Sequence, residues 1–218
     1  IYGKHLVRFN NSQIITSANV GIIVQTYQTT QDHWAERVYL YNLNIKGNGT
    51  NTLLQFTKAS KVTLRDSTFW DFNVGIYCQS GYGLVIQNLR MEILDQNNIT
   101  ATGIITESGD STYSDIVMRD CHIGMDIRNG RNYINRFHPW IYNSDVFPNS
   151  ICVYDKTGVS ANNVFNDLYA DSFHHAIQKT GGGQLLIKGL IALQLEQIIT
   201  DTGIANGYLV YYEGSYSK

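Results

Sequence analysis

The chain has 218 residues, of which 43% are hydrophobic and 16% charged, with a formal net charge of −2. That length suits one all-β domain with a sizeable core, and the near-balance of charge offers no field to draw nucleic acid or an anionic membrane surface, so neither is expected as a partner. The longest apolar runs, "VGIIV" and "GLVI", fall far short of the about 20 residues that span a bilayer. With no initiating Met and no leader-like segment, the sequence reads as a piece of a longer chain. Cys78, Cys121 and Cys152 are too widely spaced for a metal or redox motif and sit among aliphatics, so they are expected as buried free thiols.

In chain order, residues 1–37 have a pattern of their own and are assigned to an N-terminal cap or first irregular coils. A repeat then begins: "VYLYNLNI" from Val38, "VTLRDSTF" from Val62, "LVIQNLRM" from Leu84 and "IVMRDCHI" from Ile116, with weaker copies at Asn162 ("NNVFNDLY") and Leu185 ("LLIKGLIA"). Between these lies a second strand family, "VGIYCQ", "TGIITE", "GMDIR", "SICVYD" and "HAIQK", in which a small residue precedes an aliphatic one. Its alternation points Ile76, Ile104, Met125, Ile151 and Ile177 inward and leaves Tyr77, Glu107, Asp126, Arg128 and Tyr154 outward. "RFHPWIYN" (136–143) interrupts the rhythm: Pro139 removes a ladder donor, so the chain is expected to bulge there and display Trp140, returning through 145–151. The loops around 95–103 and 107–115 are expected to form the opposite wall. Residues 190–218 are a last coil or cap, and "IALQLEQII" is the one stretch that also fits a helix.

A period of about 22–24 residues, rich in strand and carrying Asn or Asp at a fixed place, is what one coil of a β-solenoid requires. A single coil cannot bury its apolar side chains. Stacked coils can, with Val38 under Val62 under Leu84 and Leu40 under Leu64 under Ile86. The fifth-position residues Asn42, Asp66, Asn88, Asp120 and Asn166 are expected to stack at a sharp corner, because short polar side chains tolerate left-handed backbone angles. The whole of 1–218 is then one all-β domain.

This pattern, over 38–188, resembles the right-handed parallel β-helix of pectate-lyase-like proteins, and within that group the bacteriophage tailspikes that bind or cut bacterial surface polysaccharide. The resemblance implies a capsule or O-antigen partner, a homotrimer and a place on a virion tail or outside the cell. It implies no cofactor and no metal, since the calcium-dependent lyases of this fold use an Asp cluster that is not seen here.

Glycoside hydrolysis needs two acids about 5 or about 6.5–9.5 Å apart, a spacing that neighbouring coils can supply. Glu107 with Asp126 is the leading acid/base pair, with Asp155 one coil further on. As solvated surface acids these would instead be neutralised by Arg128. For sugar binding the candidates are Trp140, His138, His122, Arg128, Arg136, Tyr154 and Tyr77: flat amphipathic rings meet the C–H face of a sugar, and neutral or basic donors meet its hydroxyls. His122, His138 and Arg90 are expected to form an outward ladder beside Asp120. A lyase would use Arg128, Arg131, Arg136 and His138 against a uronic acid; hydrolysis is ranked above elimination. A non-catalytic receptor-binding or structural β-helix shares the fold and the aromatics.

Overall fold

A computed structural model describes residues 7–10, 13–25, 35–95, 97–158, 160–193, 197–201 and 210–217. It is all-β, a parallel β-solenoid of about 7 turns with coils of about 23 residues. Strands pair in parallel with the equivalent strands of the neighbouring coils. Among the described residues the long sheet has 11 strands, including Thr63–Trp70, Val85–Glu92, Ser111–Arg119, Asn132–Trp140, Asn162–Asp171 and Gln184–Leu193. A second sheet of 8 strands includes Val74–Cys78, Thr102–Thr106, Ile123–Ile127, Ile151–Asp155 and His175–Lys179. A short third sheet joins Ala35–Glu36, Ala59–Ser60 and Gly81–Tyr82. Val7–Asn10 and Val210–Ser217 continue the long sheet. Of "IALQLEQII", which also fitted a helix by sequence, residues 191–193 close the strand Gln184–Leu193 and residues 197–199 open the strand Gln197–Asp201, while 194–196 lie outside the described residues.

The expected apolar columns form. Leu40, Leu64 and Ile86 are in register, as are Leu54, Ile76, Ile104, Met125, Val153 and Ile177 on the second sheet. All of these are buried, and each large aliphatic removed from water contributes roughly 1.5–3 kcal/mol before chain entropy is counted. Val153, and not Ile151, continues the central column. The small residues of the second strand family have a packing cause. A Cβ on Gly75 would meet Met91, one on Gly103 would meet Met118, and one on Gly124 would meet Pro139. Where the small row turns to Cys152 and Ala176, the long-sheet row turns to Ala170 and Ala192, so bulk on one wall is matched by its lack on the other. All three cysteines are free and buried, and burial pushes the Cys78 thiol up to about 12.

Each long strand is kinked by one left-handed residue: Asn42, Asp66, Asn88, Asp115, Arg136, Asp167 and then Gly189 stack coil upon coil, with φ of 50°, 54°, 54°, 56°, 49°, 57° and 69°. Two expected members of this ladder are corrected. Asp115 replaces Asp120, because the strand starts at Ser111 and Ile116 pairs with Leu89, not Leu84. Asp167 replaces Asn166, a slip of one that exchanges the two faces. Asp120 does turn a corner, at φ 58°, but the next one, where its Oδ1 accepts the Tyr142 N–H at 2.8 Å as Asp71 Oδ1 accepts that of Leu94 at 2.9 Å.

Pro139 does not break its strand. Asn132–Trp140 runs straight through it, with Pro139 facing Gly124. Only the register toward Asn162–Asp171 passes from Phe137 directly to Trp140, the side on which the absent donor would have been missed. The excursion comes later, over 142–150, around a 3-10 turn Ser144–Val146 capped by the Asn143 side chain.

Candidate functional site

The left-handed residue bends each long strand inward, and repeating the bend leaves a groove parallel to the solenoid axis. Three adjoining depressions of about 390, 390 and 470 Å³ follow it from Asp66 to Ile191. One side is the corner ladder. The other is the outward row two residues further on: Thr68, Arg90, Val117 and His138 in continuous register, followed by Tyr169 and Ile191. Strands in a sheet lie about 4.8 Å apart, so the groove presents one side chain of each row per coil. Its chemistry changes along the axis, from Asp66, Thr68, Asn88 and Arg90 at one end to Tyr169, Leu190 and Ile191 at the other. Val117 and Ile191 are each 41% exposed.

The polar groups of the groove are oriented by their neighbours. Asn88 Nδ2 donates to Asp66 Oδ1 at 2.7 Å. Arg136 grips Asp115 with two bonds, Nη2 to Oδ2 at 2.7 Å and Nε to Oδ1 at 2.5 Å. Those bonds hold the Asp115 carboxyl below its usual range, so it is a fixed anion and no proton donor. Arginine in a left-handed conformation costs about 1–2 kcal/mol where Asn or Asp costs less; the two-pronged contact offsets part of this. His138 packs against Tyr169 with ring centroids 4.1 Å apart. Burial lowers the His138 pKa, and Asp171 partly opposes the shift.

The residues expected to act together are dispersed. Arg136 and His138 lie in the groove. Glu107, Asp126, Arg128, Tyr77 and Tyr154 lie on the outer face of the second sheet, closed on one another: Tyr77 O–H donates to Glu107 Oε1 at 3.0 Å, and Arg128 reaches Glu107 Oε1 at 3.2 Å and Asp126 Oδ2 at 3.0 Å. Lys156 Nζ adds a second cation 3.0 Å from Asp126 Oδ2 and stands 3.9 Å from the Tyr154 ring centroid. Burial and the bond to Glu107 raise the Tyr77 pKa. Burial works against the Arg128 charge, but Asp126 and Glu107 raise its pKa all the same. The Asp126 side chain is outward by alternation yet only 3% exposed, sealed under its cations.

Three placements correct the sequence reading. Asp155 points into the lumen, is 0% exposed and pairs with Lys179, out of reach of any substrate. Trp140 is not displayed on an excursion; it is a half-buried strand residue with the Arg119 guanidinium 5.3 Å from its ring centroid. His122 is not in the ladder of His138 and Arg90, whose intervening member is Val117. It sits at another corner, where burial and then the neighbouring His174 lower its pKa. Nor do the two loops form an opposite wall, since 111–115 is long-sheet strand and Asn97 and Asn98 line a separate polar depression with Asn48 and Asn73. Among the described residues, no three His, Cys, Asp or Glu are arranged to hold a metal ion.

Sequence reading missed Asp115, Val117, Asp167, Tyr169 and Ile191 as groove residues. The signal that finds them is the triplet at the kink, a polar residue, then Asp or Asn, then an inward residue, which recurs as "RDS", "QNL", "SDI" and "NDL". No protein-family model matches the chain, and no match was found among curated proteins or solved structures.

Proposed function

We infer that this solenoid binds a bacterial surface polysaccharide, capsule or O-antigen, laid along the axial groove, as a tailspike-like segment of a virion. The observation that carries this reading is the groove itself. It is open, runs along the axis over successive coils, and sets a hydrogen-bonding rail (Asp66, Asn88, Asp115, Arg136, Asp167) beside apolar and aromatic contacts (Val117, Tyr169, Ile191). A linear glycan needs that pairing of hydroxyl partners with flat apolar surface, repeated at a spacing near that of one strand. The tailspike resemblance adds a homotrimer, which sedimentation would read.

Cleavage is the second reading, and one observation favours it. Glu107 and Asp126 share a single guanidinium, which brings two carboxylates close on one face. Against it stands the burial of Asp126, which leaves no path to an anomeric carbon. Binding is therefore placed first. A panel of capsular and O-antigen polysaccharides, scored for retention by the protein and for reducing ends released, tests both. Retention without new reducing ends is expected, release would move the assignment to a hydrolase, an ultraviolet-absorbing unsaturated product would move it to a lyase, and no retention on any member would sink it.

A further inference from the structure

The lumen holds one row that aliphatic packing does not explain. Cys78, Thr106, Ile127, Asp155 and Lys179 stand in register on the inward side of the second sheet, and the same ladder places Asp201 beside Lys179. Asp155 and Lys179 are both 0% exposed, with Lys179 Nζ 3.1 Å from Asp155 Oδ2. The other carboxyl oxygen is held differently: Oδ1 accepts the Thr157 O–H at 2.6 Å and the Thr157 backbone N–H at 3.0 Å. Thr157 is itself fully buried.

An amine therefore rests on one oxygen of a carboxyl group while two donors grip the other, in a space shut off from water. We propose that Asp155 and Lys179 form a self-condensing pair, joined by an isopeptide bond between Lys179 Nζ and Asp155 Cγ that staples two neighbouring coils. In the reacting form of the pair the ammonium has passed a proton to Oδ2, and Nζ carries a lone pair. Nζ then attacks Cγ. The negative charge of the tetrahedral adduct collects on Oδ1, where the two Thr157 donors stabilise it as an oxyanion hole does. A second proton moves from nitrogen to the departing Oδ2, the Cγ–Oδ2 bond breaks, and water leaves. One ammonium and one carboxylate become one amide and one water, with no oxidant, metal or activating nucleotide. Coil stacking supplies the proximity that makes an otherwise slow condensation intramolecular.

The test is the intact mass of the full chain, followed by tandem mass spectrometry of its digest. The expected mass is about 18 Da below the sequence value, the loss of one water, with a branched peptide containing both Asp155 and Lys179. Lys179→Arg should restore the full sequence mass. Asp155→Asn, which keeps the shape but has no carboxylate to take the ammonium proton, should likewise keep the full mass of its sequence. Thr157→Val should slow the appearance of the branched peptide in freshly folded protein. A wild-type mass equal to the sequence value, or a mass loss that maps to other residues, overturns the proposal; an unchanged rate in Thr157→Val overturns the role given to its donors.

Discussion

The axial groove and the outer face of the second sheet are made from the same kinds of residue on the same parallel ladder, yet they end in opposite states. On the second sheet, Glu107, Asp126, Arg128, Lys156 and Tyr77 bond to one another, and the Asp126 side chain is 3% exposed. In the groove, the Arg136 side chain is 61% exposed and Arg90 66%, beside open apolar Val117 and Ile191. The difference is one backbone angle. A flat sheet lets long side chains fold across neighbouring strands until their charges meet, whereas the left-handed residue bends each long strand and holds two rows apart with a trough between. Charged residues in a stacked row do not make a site by themselves; in the groove Arg136 still pairs with Asp115, but the concavity leaves the pair open to solvent beside apolar surface.

The largest effect should come from the closed face. Asp126→Ala leaves Arg128 and Lys156 facing each other without their shared carboxylate. Removing one partner of a fully buried pair costs about 3–5 kcal/mol; both cations here are about a third exposed, so about 2–3 kcal/mol is expected in urea unfolding, with glycan binding retained. Second is Tyr169→Ala, which removes an aromatic contact in the groove worth about 0.5–1.5 kcal/mol. Polysaccharide should bind about 2- to 10-fold more weakly by titration, with the unfolding midpoint little changed. If instead Asp126→Ala spared stability and abolished binding, the roles of the two faces would be exchanged.

Acid should act on the folded chain through His122 and His138. Both have pKa values lowered from 6.5, by burial first, so as the pH falls below that value the unfolded chain takes up protons that the native chain refuses. Stability should therefore hold above pH 6.5 and decline below it, by at most about 1.4 kcal/mol per pH unit for each proton. His122→Gln should flatten that decline. The smallest effect is expected from Asp115→Asn. The exposed contact with Arg136 adds little to stability in high dielectric, so the melting temperature should stay within error while salt dependence of binding at the groove changes.

The solenoid was legible because its cause is periodic. Val38, Val62 and Leu84 repeat at a spacing that only stacking can use, and the small residue before each inward aliphatic marks where Met91, Met118 and Pro139 press from the facing wall. The groove was half legible. Asn42, Asp66 and Asn88 announce the kink, but the ladder then admits Arg136 and Gly189, which share no side-chain chemistry with Asn. A string that matched well, "IVMRD", belongs to the far half of its strand. Alternation told inside from outside for Tyr77 and Glu107. It could not tell that Asp126, though outward, would be covered by Arg128 and by Lys156 from the next coil, because covering depends on how long side chains lie across strands. Asp155 illustrates the converse: its charge marks it as a candidate catalytic acid, but alternation after the outward Tyr154 puts it inward, where Lys179, one coil on, makes a buried carboxylate tolerable.

The most direct test of a binding groove on the long sheet is a paired titration of one surface polysaccharide that the wild-type chain retains, against Val117→Asp and Glu107→Gln. Val117 is 41% exposed at mid-groove, so a carboxylate there can be carried without disturbing the core. Loss of binding in Val117→Asp, with wild-type affinity kept in Glu107→Gln, is the predicted result; the reverse pattern would contradict it and place the glycan on the second sheet.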